Sequence, residues 1–430
     1  MAYEKKKFKK QPKSKQRKSD DAVDSISMAP KSSKDIKRES VKDKPLKRRA
    51  MAPRQPLEII EGGETKRRRT RLANLITVGV SLLVVILLVA AQLLTPTGLI
   101  EWTRNRVAEM GIGQLPTEVS GSKALNMQRS GGRVNILTDT ELIVYGKSGK
   151  LITTVQHGYS SPVMRTSAER TLVYDCGGRS VRVDTLTGNI FTVSDSDTVI
   201  CADISDSGSF AVVTSPDDYA ATMTVYDKGA DPVYRWNSSG RIISSVCLSP
   251  NGKYAVAFTV TSVSGKYQTV ANIFDSEGAG VATVQIDEHC VLSSYANNGT
   301  VFAIGSDFVA SFDWDGGGLS VYDYPAISFI DAQSNLGLLV AVGAANSSST
   351  VYVVDASGKQ SEQLELDSSI SDAVLVNSGV YILTGNTVEY VPFEGERETL
   401  GDIGYEYRFL SPFGRSVMAL SDMKLQKLKR

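Results

Sequence analysis

Residues 249–258 read Ser-Pro-Asn-Gly-Lys-Tyr-Ala-Val-Ala-Phe, a tight polar turn followed at once by a short apolar strand. Further along, Phe274-Asp275 leads into a second turn that reaches Gly278. Asp accepts hydrogen bonds from backbone N–H groups just ahead of it, and Gly tolerates a positive φ, so both residue types favour turns. This stretch therefore predicts short strands joined by tight turns.

Both turns recur along the C-terminal part of the chain. Copies of the first turn precede the strands FAVVT, KYAVAF, TVFAIG, LLVAVG, VYILTG and RSVMAL, with glycines at Gly208, Gly252, Gly299, Gly337, Gly379 and Gly414. Successive glycines are 44, 47, 38, 42 and 35 residues apart. Copies of the second turn alternate with the first, at Asp184, Asp227, Asp275, Asp313 and Asp355.

Two alternating turns make four short strands per roughly 40 residues, which is the pattern of a β-propeller. One blade cannot cover both faces of its sheet, whereas blades packed in a closed ring can, and closure limits exposed edges. The last copy lacks a fourth strand, which residues 114–120 would supply. We therefore predict an all-β propeller of four-stranded blades, with eight favoured and seven as the alternative. A β-sandwich or two stacked β domains would not explain the alternation. Eight second strands are counted, near Val134, Leu172, Phe210, Ala255, Phe302, Leu338, Tyr381 and Val417.

The overall charge of +1 hides a strong asymmetry. Residues 1–71 contain 24 Lys and Arg against 10 Asp and Glu, a net charge of +14, so the rest of the chain carries −13. Because residues 1–71 have no regular spacing of apolar residues that could form a core, they are predicted to be a disordered basic cytoplasmic tail. Its charge suits a solvated tail that holds the topology, or a tail that contacts anionic lipid or nucleic acid, since both reward positive charge without sequence detail. No specific nucleic-acid partner is expected.

Residues 72–94 are uncharged and mostly apolar, which matches the length of a transmembrane helix. Five basic residues between Lys66 and Arg71 precede it, so we predict a cytoplasmic N-terminus and an extracytoplasmic C-terminal domain. A cleaved signal peptide is the alternative, but its apolar core would be shorter. The sequence of residues 95–113 predicts a juxtamembrane stalk helix. It is amphipathic, with one side formed by Ile100, Thr103, Val107 and Met110. The propeller is predicted over 114–430.

The SPNGKYAVA and VYD-type repeats resemble those of WD40-like and PQQ-like bacterial propellers. The layout from Ser122 to Arg430, with the anchor, resembles a domain of unknown function from single-pass membrane proteins of Gram-positive bacteria. This resemblance implies a fold and little about activity. The repeated Gly-His and Trp-Asp signatures of true WD40 repeats are missing, since Trp-Asp occurs once, at Trp314-Asp315. The cofactor residues of PQQ enzymes have no counterparts, so no cofactor is expected.

No catalytic, cofactor-binding or metal-binding residues are predicted, and the ligand-binding residues stay unassigned. His157 and His289 have no G-x-S-x-G elbow or metal-type spacing beside them, and each is interpreted as structural. The four cysteines lack C-x-x-C spacing and are predicted to be buried free thiols, with the last three on first strands of successive repeats. They are Cys176, Cys201, Cys247 and Cys290.

Two acidic segments and a glycine run look like ion or phosphate sites but predict turns. Asp313–Gly316 and Asp195–Asp197 lack the spacing of a calcium loop, and Gly316–Gly318 has neither a following Lys nor a strand–helix context. A set of aromatic side chains near strand ends is a candidate contact surface, with packing between blades as the alternative. It comprises Tyr159, Tyr219, Trp236, Tyr267, Trp314 and Tyr324.

The expected function is a non-enzymatic, membrane-anchored binding or scaffold module at the outer face of the cell membrane. Its acidic surface favours a basic protein or peptide partner over anionic polymers. Two other classes stay open: a transmembrane sensor that couples outer binding to the tail, and an enzyme such as a quinone-dependent dehydrogenase or a lyase.

Overall fold

A computed structural model describes residues 75–84, 96–119, 123–194, 197–333, 336–343, 348–402, 407–414, 416–422 and 424–429. The predicted tail, residues 1–71, lies outside the described residues. Of the predicted transmembrane segment 72–94, only residues 75–84 are described, and they are helical. The described helices include none with both the length and the apolar run needed to cross a membrane.

The second described helix, α1 (Pro96–Glu109), precedes a propeller of eight antiparallel sheets with four strands each. Helix and propeller both belong to the compact unit Val78–Arg430. We number the sheets as blades I to VIII in chain order. The strands of blades I and II are β2 (Ala124–Ser130), β3 (Arg133–Thr138), β4 (Glu141–Tyr145), β5 (Leu151–Gln156), β6 (Pro162–Thr166), β7 (Thr171–Asp175), β8 (Val181–Asp184) and β9 (Asn189–Val193).

Blades III to V follow the same order, and blade IV has the longest strands. Their strands are β10 (Thr198–Ile204), β11 (Phe210–Ser215), β12 (Ala221–Tyr226), β13 (Pro232–Ser238), β14 (Ile242–Leu248), β15 (Tyr254–Val263), β16 (Lys266–Asp275), β17 (Gly280–Asp287), β18 (Ser293–Ala296), β19 (Thr300–Ile304), β20 (Phe308–Asp313) and β21 (Ser320–Asp323). The first strand of each blade is innermost.

Blade VIII takes its outermost strand from the N-terminal side. The remaining strands are β22 (Ile327–Gln333), β23 (Gly337–Val342), β24 (Ser349–Asp355), β25 (Gln360–Leu366), β26 (Asp372–Val376), β27 (Gly379–Thr384), β28 (Thr387–Pro392), β29 (Glu398–Asp402), β30 (Tyr407–Phe413), β31 (Ser416–Ser421), β32 (Lys424–Lys429) and β1 (Thr117–Glu118). Strand β1 pairs antiparallel with β32, with Thr117 opposite Leu425 and Glu118 opposite Lys424. This pairing confirms eight blades and the predicted closure by residues near 114–120.

The core consists of eight apolar clusters, one between each pair of neighbouring blades. Strand β15 shows how one sequence serves two interfaces. Its Val256 and Phe258 pack towards blade V, while Ala255 and Ala257 pack towards blade III. Because side chains alternate across a strand, a continuous apolar run covers both faces of the blade. The strands are therefore stabilised by their neighbours in the ring.

The quoted turn at residues 249–253 closes through its own side chains. The Ser249 hydroxyl accepts the Tyr254 N–H at 2.9 Å, and the Asn251 side-chain oxygen accepts the Lys253 N–H at 3.0 Å. Gly252 has a φ of +69°, and a Cβ there would lie 2.3 Å from the Ser207 hydroxyl of blade III. Glycine is therefore required by both the turn and the close approach of the next blade.

Two faces of the ring follow from this topology. The turns between first and second strands, and between third and fourth strands, lie on one side, which we call the turn face. The remaining hairpins and the connections between blades lie on the other side, which we call the loop face. Helix α1 lies against the turn face of blades I to III.

Two buried arginines hold α1 on the turn face. Arg170 of blade II binds Glu101 with both ends of its guanidinium, each at 2.9 Å. Its remaining nitrogen donates to the carbonyls of Lys228 and Gly208 in blade III at 2.7 and 3.2 Å. The Arg170 side chain is 3% exposed and that of Glu101 is 12% exposed. Paired, hydrogen-bonded charges of this kind fix an orientation because neither can be left alone without a large penalty.

The second arginine fixes the C-terminal half of the helix. Arg133 of blade I contacts Glu109 at 3.0 Å and Glu169 at 3.5 Å, and Asn105 donates to Glu169 at 2.8 Å. Lys150 donates to the carbonyl of Ala108 at 2.9 Å. The helix predicted from the sequence is present, but it docks through polar side chains.

A polar central channel as the candidate functional site

The eight innermost strands enclose a central channel of about 1700 Å³. This volume is large for a ligand site, because it exceeds the roughly 300–1,000 Å³ that pockets for small molecules usually occupy. Residues of all eight blades line it, including the charged side chains Arg129, Lys147, Arg165, Asp203, Asp206, Asp331, Asp372 and Arg408.

Three of these aspartates bind the next blade through the backbone. Asp203 accepts the N–H of Leu248 at 2.9 Å, and Asp331 accepts that of Leu375 at 3.1 Å. Asp372 accepts the N–H of Leu410 in the same way. Each bond joins adjacent innermost strands, so these carboxylates connect blades III to IV, VI to VII and VII to VIII. Their first role is therefore structural.

Burial perturbs two of the three carboxyl groups. It raises the pKa of Asp203 to about 6, against the opposing effects of the Arg165 charge and the backbone N–H of Leu248. It raises the pKa of Asp372 to about 7, against the hydrogen bond from Leu410. Desolvation disfavours the charged form of a carboxyl group, which is why burial dominates here. Both groups thus change protonation closer to neutral pH than an ordinary aspartate does.

Charge around the channel is segregated by blade. The basic side chains Arg408, Arg129 and Arg165 belong to the consecutive blades VIII, I and II, together with Lys147 of blade I. The acidic side chains belong to blades III, VI and VII, while blades IV and V contribute uncharged residues such as Leu248 and Ser294. One ion pair crosses the boundary, between Arg165 and Asp203 at 3.9 Å. The channel can therefore hold polar or dipolar groups along a wall that is basic on blades VIII, I and II and acidic on blades III, VI and VII.

Sequence reasoning missed these channel residues, although a signal was present. Asp203 and Asp331 lie at similar positions near the ends of first strands, one residue before Ile204 and two residues before Gln333. An acidic residue inside an otherwise apolar strand is costly unless it is bonded. Its recurrence in two copies would have pointed to the innermost strands.

The two histidines lie far apart on the loop face, on different connections between blades. The His157 ring contacts the Thr138 carbonyl at 3.2 Å and accepts the Tyr159 N–H at 3.0 Å; burial lowers its pKa. His289 packs on the Phe308 ring, with 4.2 Å between ring centroids. Neither ring lines the channel.

The cysteines are free thiols, as predicted, but the expected burial holds fully for Cys247, whereas Cys201 and Cys290 are half-buried and Cys176 is exposed. Cys201 and Cys247 lie on innermost strands, but the expectation for Cys290 was wrong, because it lies on the connection before β18. The apolar residues Val291 and Leu292 after Cys290 resemble the start of a strand, but strand β18 begins at Ser293. Cys176 lies in an exposed loop-face turn.

The acidic segment at 313–318 forms a turn, as predicted: the Asp315 side chain accepts the Gly317 N–H at 2.9 Å. Asp195 and Ser196 lie outside the described residues. Over the described ranges, no cluster of three or more His, Cys, Asp or Glu side chains has the arrangement to hold a metal ion.

The six candidate aromatic residues divide into two groups. Trp236, Trp314 and Tyr324 pack between or within blades; Trp314, for example, donates to the Asn297 carbonyl at 2.9 Å. Tyr159 packs beside His157. Only Tyr219 and Tyr267 are strongly exposed, at 41% and 56%, and both lie on loop-face hairpins of neighbouring blades.

These features define the class of the protein: an eight-bladed β-propeller closed by an N-terminal strand, with a helix clamped to its turn face. The chain belongs to the family of unknown function DUF5711, whose profile matches residues 114–429. The expectation of a family of unknown function with a propeller domain is thereby confirmed.

The chain is similar to solved structures of low sequence identity. The computationally designed protein Ika8 matches with a TM-score of 0.53 and 14% identity over 73% of this chain and 99% of its own. BamB from Moraxella catarrhalis matches with a TM-score of 0.48 and 12% identity over 74% of this chain and 98% of its own. No curated protein matches the sequence. At such identity, the likeness to Ika8 concerns the fold alone.

Proposed function

We propose that the protein is a non-enzymatic, membrane-anchored scaffold whose loop face binds a basic protein or peptide outside the cell membrane. One observation carries the proposal. Five large apolar or aromatic side chains, including the four most exposed ones in the described part of the propeller, lie on the loop face of blades III to V, opposite the face that holds α1. They are Tyr219, Ile242, Val263, Tyr267 and Leu292, exposed by 41%, 59%, 54%, 56% and 60%.

The shape and charge of this region suit a protein partner. The β15–β16 hairpin has ten residues in each strand and carries Val263 and Tyr267. Asp217 and Asp218 adjoin Tyr219, and Asp287 ends β17. Glu288 follows and pairs with Lys266, next to Tyr267. Exposed aromatic anchors with an excess of acidic neighbours suit an interface for a basic partner.

The sequence and the helix at residues 75–84 support anchoring. Seven of its apolar side chains are at least 46% exposed, on all sides of the helix: Leu75, Ile76, Val78, Val80, Leu82, Leu83 and Val84. A helix that is apolar all round needs an apolar environment, which a bilayer provides. The basic residues before it favour a cytoplasmic N-terminus.

Site-specific photocrosslinking in intact cells tests the binding proposal. A benzoylphenylalanine replaces Tyr267, and the matched control carries it in place of Lys253, an exposed residue of a turn on the opposite face. We expect a discrete protein adduct from position 267 and none from position 253. Adducts from both positions, or from neither, would contradict a loop-face interface.

A transmembrane sensor is a second candidate because the Arg170–Glu101 pair couples the helix that follows the predicted span directly to blades II and III. Deleting residues 1–65 distinguishes the two functions. A scaffold would keep its surface phenotype without the tail, whereas a sensor would lose it.

A further inference from the structure

Helix α1 exposes an apolar surface on the side away from the clamp. We use this name for the ion pairs Arg133–Glu109 and Arg170–Glu101, which hold the helix on the propeller. Trp102 and Val107 are 44% and 65% exposed, and Met110 and Ile112, just past the end of the helix, are 68% and 95% exposed. The clamped side chains of the same helix are charged or polar. The usual arrangement of a surface helix, with its apolar side inward, is therefore reversed.

The two sides follow from helix geometry. At 100° per residue, Trp102 and Val107 lie roughly 140° apart around the helix, and Met110 is the first residue past its end. The centre of that arc is roughly 130° from the centre of the side chains of Glu101, Asn105 and Glu109, which contact the propeller. Because buried arginines hold the polar side, the apolar side must point away from the propeller.

The chemistry of the exposed side is that of a membrane interface. The Arg106 guanidinium lies over the Trp102 ring, 5.7 Å from its centre. The Arg106 side chain also pairs with Glu109 at 3.0 Å and stays 49% exposed, and Arg104 is exposed as well. Trp concentrates at the boundary between headgroups and acyl chains, and Arg extends its charge towards headgroups while its stem stays in apolar surroundings.

Chain length places this surface beside the predicted span. The uncharged segment 72–94 ends two residues before Pro96, where α1 begins. Since a residue spans at most ~3.6 Å, the start of α1 lies within roughly 7 Å of the end of the span. A bilayer surface is within reach of this side without any further partner.

We propose that Trp102, Val107, Met110 and Ile112 lie in the interfacial layer of the leaflet from which the anchor emerges. The clamp then holds the turn face along the membrane and presents the loop face outward. This inference rests on the proposed anchoring. Interfacial helices bury their apolar side by roughly 5–10 Å in the same way.

Quenching by brominated lipid tests the placement. The full chain is reconstituted in vesicles of phosphatidylcholine and phosphatidylglycerol, with or without bromine on the acyl chains near the headgroup. The chain has three Trp residues, of which Trp314 is buried between blades. We expect lipid-dependent quenching of the wild type, its loss in Trp102→Phe, and its retention in the matched control Trp314→Phe. Val107→Asp should weaken the quenching, because it places a charge in the apolar layer.

Carbonate extraction of the same vesicles separates the two proposals. If the chain stays in the membrane but Trp102 is not quenched, the interfacial placement is overturned and the anchoring stands. If carbonate releases the chain, the anchoring fails, and the placement fails with it. Unquenched Trp102 emission that changes with the protein-to-lipid ratio would show a second copy covering this side, which also overturns the placement.

Discussion

Replacing Arg170 with Ala should both destabilise the protein and release α1. The substitution removes four hydrogen bonds: two to Glu101 and one each to the carbonyls of Lys228 and Gly208. It also leaves the Glu101 carboxylate, 12% exposed, without its counter-charge. Removing one partner of a buried ion pair costs about 3–5 kcal/mol. In a domain of this size, that loss corresponds to a fall in Tm of about 4–8 °C.

Chemical denaturation of the detergent-solubilised full chain measures the loss, and amide exchange of residues 101–109 shows whether the helix detaches. Arg179→Ala, which truncates an exposed arginine of the same blade, is the matched control and should change the free energy of unfolding by less than about 0.5 kcal/mol. A double-mutant cycle with Glu101→Ala isolates the ion pair.

A loss below about 1 kcal/mol at Arg170, with unchanged exchange, would refute the view that buried charge holds the helix. A large loss with no coupling to Glu101 would instead assign the effect to the two blade III carbonyls. Either result would change the account of how α1 is oriented.

Three further predictions follow from the ring. Val119→Asp, beside the closing strand β1, should lower the free energy of unfolding by about 1–3 kcal/mol because it puts a charge into the blade I–VIII cluster; an unchanged denaturation midpoint would argue against closure by β1. Burial raises the pKa of Asp372 to about 7 from an ordinary 3.8, so its relative contribution to stability is present below pH ~4 and is lost as pH rises through ~7. Asp372→Asn should therefore stabilise the protein at pH 8 and flatten the pH dependence of its free energy of unfolding between pH ~5 and ~8. If urea unfolding at several pH values gives the same pH dependence for the variant and the wild type, the burial effect is contradicted. A thiol reagent should modify Cys176 rapidly in the native state and reach buried Cys247 only after unfolding; two fast thiols at those positions would contradict the burial.

Much of the fold could be predicted because the repeat is local. The turn at 249–253 closes through Ser249 and Asn251, so its sequence specifies its geometry without help from distant residues. The same is true of Asp275, which accepts N–H bonds from Glu277 and Ala279. Counting such turns favoured eight blades over seven, and the structure has eight.

The sequence by itself determined the class of fold, the repeat and the place where the ring closes, because turns and alternating strands are written in neighbouring residues. Only the tertiary structure decided that Arg170 meets Glu101, 69 residues away, and that Asp372 meets Leu410 in the next blade. It also decided that α1 turns its apolar side away from the propeller, whereas a surface helix usually packs its apolar side inward. Pairings of this kind depend on how blades approach one another, and no local pattern encodes which buried charge will find which partner.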